Sequence, residues 1–181
     1  RDGLPVTEEA IGAGVSRVDW PGRLEVLSRA PWLVLDAAHN GESAGRLRDA
    51  LRDLFPHKRL FLIFGASSDK DIAGMFAQLL PIAHHLTTVQ AVHPRALDPD
   101  ELGALARAAG FAGPIDGIPS VEAALKHAHA LAGPDDLICV TGSLFVVGEA
   151  RDVRGLTPGH TAHFEAEPVC LPAAGVSRRS K

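Results

Sequence analysis

An apolar run, Trp32-Leu33-Val34-Leu35, ends in Asp36, and His39 and Asn40 follow just ahead of a segment patterned as a helix. A strand that hands a carboxylate, an imidazole and an amide to a helix start sets them beside unpaired backbone N–H groups and the positive end of the helix dipole. In open α/β sheets, ligands collect at that edge, so the set can recognise an anion or a nucleotide. Arg23, thirteen residues before Asp36 in Trp20-Pro21-Gly22-Arg23-Leu24-Glu25, adds a guanidinium able to grip phosphate oxygens bidentately. The Pro-Gly turn before it holds its exit angle. Each residue also has a plainer reading: Asp36 and His39 as caps of the next helix, Arg23 as a solvated surface arginine.

The surrounding pattern must position these groups. Strands are expected at Leu24 to Leu27, Trp32 to Leu35, Leu60 to Phe64, His85 to Gln90, Ile115 to Ile118 and Leu137 to Val140, with a turn at Arg29-Ala30-Pro31. Helices are expected between them: Ser43 to Phe55, with Leu47, Leu51 and Leu54 on one face, then Ile72 to Leu80, Pro99 to Ala109 and Val121 to Leu131. Thr7-Glu8-Glu9 reads as the capped start of an earlier helix that stops near Gly12 to Gly14. This alternation predicts an α/β fold: a three-layer, Rossmann-like domain with a mostly parallel sheet and helices on both faces. The domain is expected over residues 20–152, after a linker helix in 1–19 that belongs to a missing N-terminal domain. Residues 153–181 read as a disordered tail, rich in Gly, Pro, Ala, Ser and charge.

Composition narrows the function. The formal charge of −4 argues against a generic nucleic-acid binder, which needs clustered Lys and Arg. No apolar stretch is long enough to span a bilayer, no signal peptide is visible, and two cysteines make no disulfide framework, so a cytoplasmic protein without membrane partners is expected. Cys139 sits in an apolar strand and reads as core. Nine histidines raise the question of a metal. His84 and His85 are adjacent on a strand and point to opposite faces, and His127 and His129 diverge by about 200° on a helix, so neither pair converges and no metal site is expected. No G-x-x-x-x-G-K-[ST] phosphate loop occurs.

Four segments carry a resemblance in order: Trp20-Pro21-Gly22-Arg23-Leu24-Glu25, Leu35-Asp36-Ala37-Ala38-His39-Asn40, Ser68-Asp69-Lys70-Asp71-Ile72, and Gly142-Ser143-Leu144-Phe145-Val146-Val147-Gly148-Glu149. Together they resemble the C-terminal domain of folylpolyglutamate synthase/dihydrofolate synthase, a branch of the Mur ligase superfamily, over roughly residues 6–150. The resemblance implies that Arg23 and Asp36 contact ATP, with Asp36 suited to ribose hydroxyls. It further implies that His39 and Ser143 hold the incoming L-glutamate, and it offers Lys70 as a phosphate contact, beside the alternative that Lys70 is a solvated helix start. The reaction implied is ATP-dependent amide formation, in which a folate or dihydropteroate carboxylate becomes an acyl phosphate and the glutamate amine displaces phosphate. The P-loop, the Mg²⁺ ligands and the pterin pocket belong to an N-terminal ATPase domain, on the same or a separate chain.

No catalytic residue is expected within this chain, which alone should be inactive. It lacks an initiating Met, which reads as a fragment or truncated frame. Phe145 departs from the family's usual Tyr, and the phenol's hydrogen bond goes with it. The alternatives are a non-catalytic α/β binding or interaction module and the C-terminal domain of a peptidoglycan-precursor Mur ligase.

Overall fold

A computed structural model describes residues 6–155 apart from 17 and 19. Six strands make one sheet: β1 (Glu25–Arg29), β2 (Trp32–Leu35), β3 (Leu60–Phe64), β4 (His85–Val89), β5 (Ile115–Ile118) and β6 (Leu137–Thr141). Their spatial order is β1-β2-β6-β3-β4-β5, with β1 antiparallel to β2 and all other neighbours parallel. The helices are α1 (Glu8–Ser16), α2 (Gly41–Leu54), α3 (Ile72–Leu79), α4 (Pro99–Ala108), α5 (Val121–Leu131) and α6 (Leu144–Val153). No helix among the described residues is long and apolar enough to cross a membrane.

The three layers follow from central strands, β3, β4 and β6, that are buried at every position. In β3, Leu60, Leu62 and Phe64 turn to one face and Phe61 and Ile63 to the other, as a two-residue period requires. The first face is covered by α2, α3 and α4 through Leu47, Leu51, Met75, Phe76, Leu79 and Leu102. The second is covered by α5 and α6 through Val121, Leu125, Val146 and Val147. Cys139 lies wholly buried in the first layer, where burial pushes its thiol far above the ordinary range, so it packs and does not react. Cys170 lies outside the described residues.

The chain departs from sequence expectation at a few places. The first helix, capped by Thr7 Oγ1 accepting from the Ala10 amide at 3.1 Å, runs past Gly12 and Gly14 to Ser16. Glycine costs a helix about 1 kcal/mol relative to alanine but does not end it unless the backbone turns left-handed, and neither residue does. The first strand starts at Glu25 because Leu24 has φ +45°. A sixth helix, α6, follows β6; its signal was the Ser143 cap before Val146, Val147 and Ala150 at helical spacing. Of the segments outside the domain expected over 20–152, α1 falls within 1–19, whereas residues 156–181 of the expected tail lie outside the described residues.

Position in the sheet also decides the connections. The crossovers from β2 to β3, β3 to β4 and β4 to β5 carry their helices on one face, while the return from β5 to β6 and the exit through α6 use the other. Chains leaving β2 and β6 therefore diverge to opposite faces and leave a crevice at their carboxyl ends.

At the other end of the sheet, Asp136 is buried and accepts from Arg59 Nε at 3.2 Å and from the Gly133 amide at 2.8 Å. The Arg59 hydrogen bond holds its carboxyl below the usual range against the cost of burial. A depressed carboxyl pKa adds stability above the unfolded value, near 3.9, and loses it as pH falls through the folded value. The melting-temperature gap between wild type and Asp136→Asn should therefore be full near neutrality and close progressively below about pH 4.

Candidate functional site

The crevice between β2 and β6 opens into a cleft of about 350 Å³ lined by Arg23, Asp36, His39, Ser43, Arg46 and Leu144, with Trp20 at its edge. The loops after the two strands meet there: the Asp36 amide donates to Val140 O at 3.0 Å, and the Gly142 amide donates to Ala38 O at 3.1 Å. Gly142 has φ +100°, and a Cβ there would stand 2.6 Å from Gly65 O. Only glycine permits the approach.

Asp36 does not cap α2. That work falls to Asn40, whose Oδ1 accepts from the Ser43 amide at 2.8 Å while Ser43 Oγ accepts from the Asn40 amide at 3.2 Å, a capping box. Freed from capping, Asp36 accepts the Leu24 amide on Oδ2 and the Ala38 amide on Oδ1, each at 2.9 Å. One carboxylate thus ties the loop carrying Arg23 to the end of β2. Burial lifts the Asp36 carboxyl above its ordinary range, although both amides and the Arg23 guanidinium pull the other way.

The Pro21-Gly22 turn is clamped from three sides. Its glycine, at φ +72°, donates to Glu25 Oε2 at 2.7 Å and accepts from the Ala37 amide at 2.8 Å. Glu25 in turn pairs with Arg151 of α6 at 3.0 Å, both side chains mostly buried. Arg23 emerges exposed, its guanidinium 5.1 Å from the centroid of the Trp20 indole.

His39 is exposed, with Nδ1 2.9 Å from Ala37 O. A carbonyl only accepts, so Nδ1 carries the proton and Nε2 is the open nitrogen. Ser143 is buried and caps α6 by accepting the Phe145 amide at 3.1 Å; its neighbour Leu144, not Ser143, reaches the cleft wall. Phe145 stacks on His93 with centroids 4.0 Å apart. Lys70 sits in the loop after β3, 3.5 Å from Asp69, and does not line this cleft. Arg46 does, from a position on α2 outside the apolar face of Leu47 and Leu51; it is held by Glu42 at 2.9 Å. Periodicity separates buried from exposed but cannot tell solvent from a ligand cleft.

Of the two histidine pairs, His84 and His85 both set their rings against Phe61, at 5.9 and 5.7 Å between centroids. One member of each pair meets the other: His85 Nε2 and His127 Nε2 both lie against Asp116 Oδ2, at 2.8 and 2.7 Å. The sequence hid this because the three residues come from different elements.

The description "Mur ligase, glutamate ligase domain" matches residues 22–144, more than half of the chain. The chain belongs to the Mur ligase glutamate ligase domain family. Among sequence relatives of this Mur ligase domain is a probable bifunctional folylpolyglutamate synthase/dihydropteroate synthase of Halobacterium salinarum, 42% identical over 146 residues, covering 81% of the chain and 18% of the relative. Among solved structures, Mycobacterium tuberculosis folylpolyglutamate synthase complexed with ADP and AMPPCP aligns with a TM-score of 0.78 and 31% identity, over 85% of this chain and 36% of that one. FolC of Escherichia coli in complex with DHPP and ADP aligns with a TM-score of 0.76 and 29% identity, over 84% and 36%. The chain corresponds to the C-terminal domain of folylpolyglutamate synthase/dihydrofolate synthase and spans little more than a third of the solved relatives.

The turn bearing Arg23 gives a direct test of this construction. A Cβ on Gly22 would lie 2.9 Å from Val147 Cγ1, and its φ is left-handed. Gly22→Ala should cost about 1–2 kcal/mol from the backbone alone, with a further steric loss. Combined with Val147→Ala, it should cost less than the sum of the two single changes, as read from denaturant unfolding of all four proteins.

Proposed function

We propose that this domain forms the nucleotide- and glutamate-facing wall of an ATP-dependent folate–glutamate ligase, working against an N-terminal P-loop ATPase domain. The observation that carries the reading is the convergence of Arg23, Asp36 and His39 on one cleft at the carboxyl edge of the sheet, in a domain whose family is named for glutamate ligation. Arg23 suits the phosphates of ATP, reaching out from a turn that cannot swing. Asp36 spends one acceptor site of each oxygen on a backbone amide, and the remaining lone pairs suit ribose hydroxyls. His39, through Nε2, suits the carboxylate of L-glutamate, and Ser143, buried at the start of α6 and off the cleft wall, would join it only through its hydroxyl proton, its oxygen being held by the Phe145 amide. Lys70, set back from the cleft, would reach a phosphate only through the partner domain's placement of the nucleotide.

The folate or dihydropteroate carboxylate, activated by the γ-phosphate of ATP, would be delivered by the N-terminal domain, and the glutamate amine would form the amide. Mg²⁺ finds only Asp36 as an acidic residue on this wall among the described residues, and the free lone pairs of that carboxylate are the ones assigned to ribose. Its ligands belong to the other domain.

Two outcomes are expected. The 181-residue chain alone should neither hydrolyse ATP nor ligate glutamate, as measured by phosphate release and product mass; turnover by this chain would defeat the division of labour. In an enzyme reconstituted with a P-loop domain, Arg23→Ala and Asp36→Ala should each weaken ATP use by about 1.5–3 kcal/mol, roughly tenfold to a hundredfold, for a lost charged hydrogen bond. His39→Ala and Ser143→Ala should raise the KM for glutamate more than that for ATP. Equal losses toward both substrates, or losses explained by lowered Tm, would leave a purely structural role for these residues.

A further inference from the structure

The cleft occupies the carboxyl edge of the sheet; at the amino edge, three metal-ligating side chains from three separate elements meet. His85 opens β4, Asp116 is the second residue of β5, and His127 lies on α5, whose later turns return to this edge. Asp116 is in register with Thr87, two residues beyond His85, so His85 and Asp116 share the sheet face that α5 covers. Their ligand atoms, with His127 Nε2, all lie within 4.8 Å of one another.

The cluster is partly held before any ligand arrives. His85 is in register with Phe61, and its ring stacks on that phenyl at 5.7 Å and 26°, with only 10% of the side chain exposed. His127 and Asp116 remain 36% and 42% exposed, so the convergence point is open to solvent on one side. Burial pushes the Asp116 carboxyl up, but the hydrogen bonds from His127 and His85 outweigh it and keep the group ionised well below neutrality.

We propose that His85 Nε2, Asp116 and His127 Nε2 bind a divalent transition-metal ion, with Zn²⁺ the best match and water completing the coordination. Two imidazoles and one carboxylate with an open position are a zinc donor set, whereas Ca²⁺ and Mg²⁺ take oxygen ligands in place of imidazole nitrogens. Tetrahedral ligands about 2.0–2.1 Å from zinc stand about 3.3 Å from one another. The present separations from Asp116 Oδ2, 2.8 Å to His85 and 2.7 Å to His127, need to open by about half an ångström, within reach of the half-exposed Asp116 and His127 side chains. Each Nε2 now donates its proton to the carboxylate. On binding, the proton of each neutral ring sits on Nδ1 instead, and the Nε2 lone pair turns to the ion.

The ion would clamp the edge strand β5, whose one sheet neighbour is β4, and the helix α5 that crosses over it. None of the three residues lines the nucleotide cleft, so the site stands or falls independently of the ligase reading.

The test is isothermal titration of the chelator-stripped 181-residue chain with Zn²⁺, beside thermal unfolding. One equivalent is expected to bind saturably, and Tm should rise by about 5–10 °C at a hundredfold excess over Kd. His127→Ala and Asp116→Asn should weaken binding at least tenfold and abolish the rise, while the controls His57→Ala and His93→Ala, outside the cluster, leave zinc affinity and the zinc-dependent rise unchanged. Should a ligand variant fold poorly, ¹⁵N NMR of the wild-type chain decides: the Nε2 resonances of His85 and His127 must take metal-bound shifts on adding Zn²⁺. Absence of one-equivalent binding, or binding that leaves those resonances unmoved, would overturn the site and leave the cluster as a hydrogen-bonded His-Asp-His contact.

Discussion

The carboxylate of Asp36, half-buried at the end of β2 and gripped by the amides of Leu24 and Ala38, is the interaction on which the cleft depends. It joins two segments that the sequence separates, the turn bearing Arg23 and the loop bearing His39. The left-handed backbone of Leu24 is tolerated where its amide is bonded in this way, a local strain offset by a charge-assisted hydrogen bond. With one backbone amide on each oxygen, the half-buried carboxylate keeps a further acceptor site on each for a ligand's donors.

The sheet's connectivity makes that arrangement possible. Because β6 inserts between β2 and β3, the loop after β6 lies beside the loop after β2, and α6 leaves on the face opposite α2. Helix α6 then braces the site from below: Arg151 holds Glu25, Val147 packs beneath Gly22, and Glu149 accepts the Val92 amide at 2.6 Å. The helix that sequence patterning passed over proves to be the one that positions the Arg23 turn.

The two ends of the sheet divide their labour by polarity. At the carboxyl edge, helix starts and bent loops present donors and cations to a cleft. At the amino edge, Arg59 with Asp136 ties the start of β3 to the start of β6, and His85 with His127 around Asp116 ties β4 and β5 to α5.

Much of the architecture was legible in the sequence. The uninterrupted apolar runs of β2, β3 and β6 announce strands buried on both faces, and the three-four spacing of Leu47, Leu51 and Leu54 announces α2, because these periods depend only on local geometry. The segment containing Arg23, Asp36 and His39 was legible too, as polar groups at a strand end preceding a helix. What tertiary structure alone decided was which segments meet: that β6 lies between β2 and β3, that Asp36 binds the Leu24 amide instead of capping α2, that Arg46 faces the cleft, and that one histidine of each pair finds Asp116. Periodicity assigns a side chain to a face, whereas the partner across that face is set by packing between elements distant in the chain, and no local pattern encodes it.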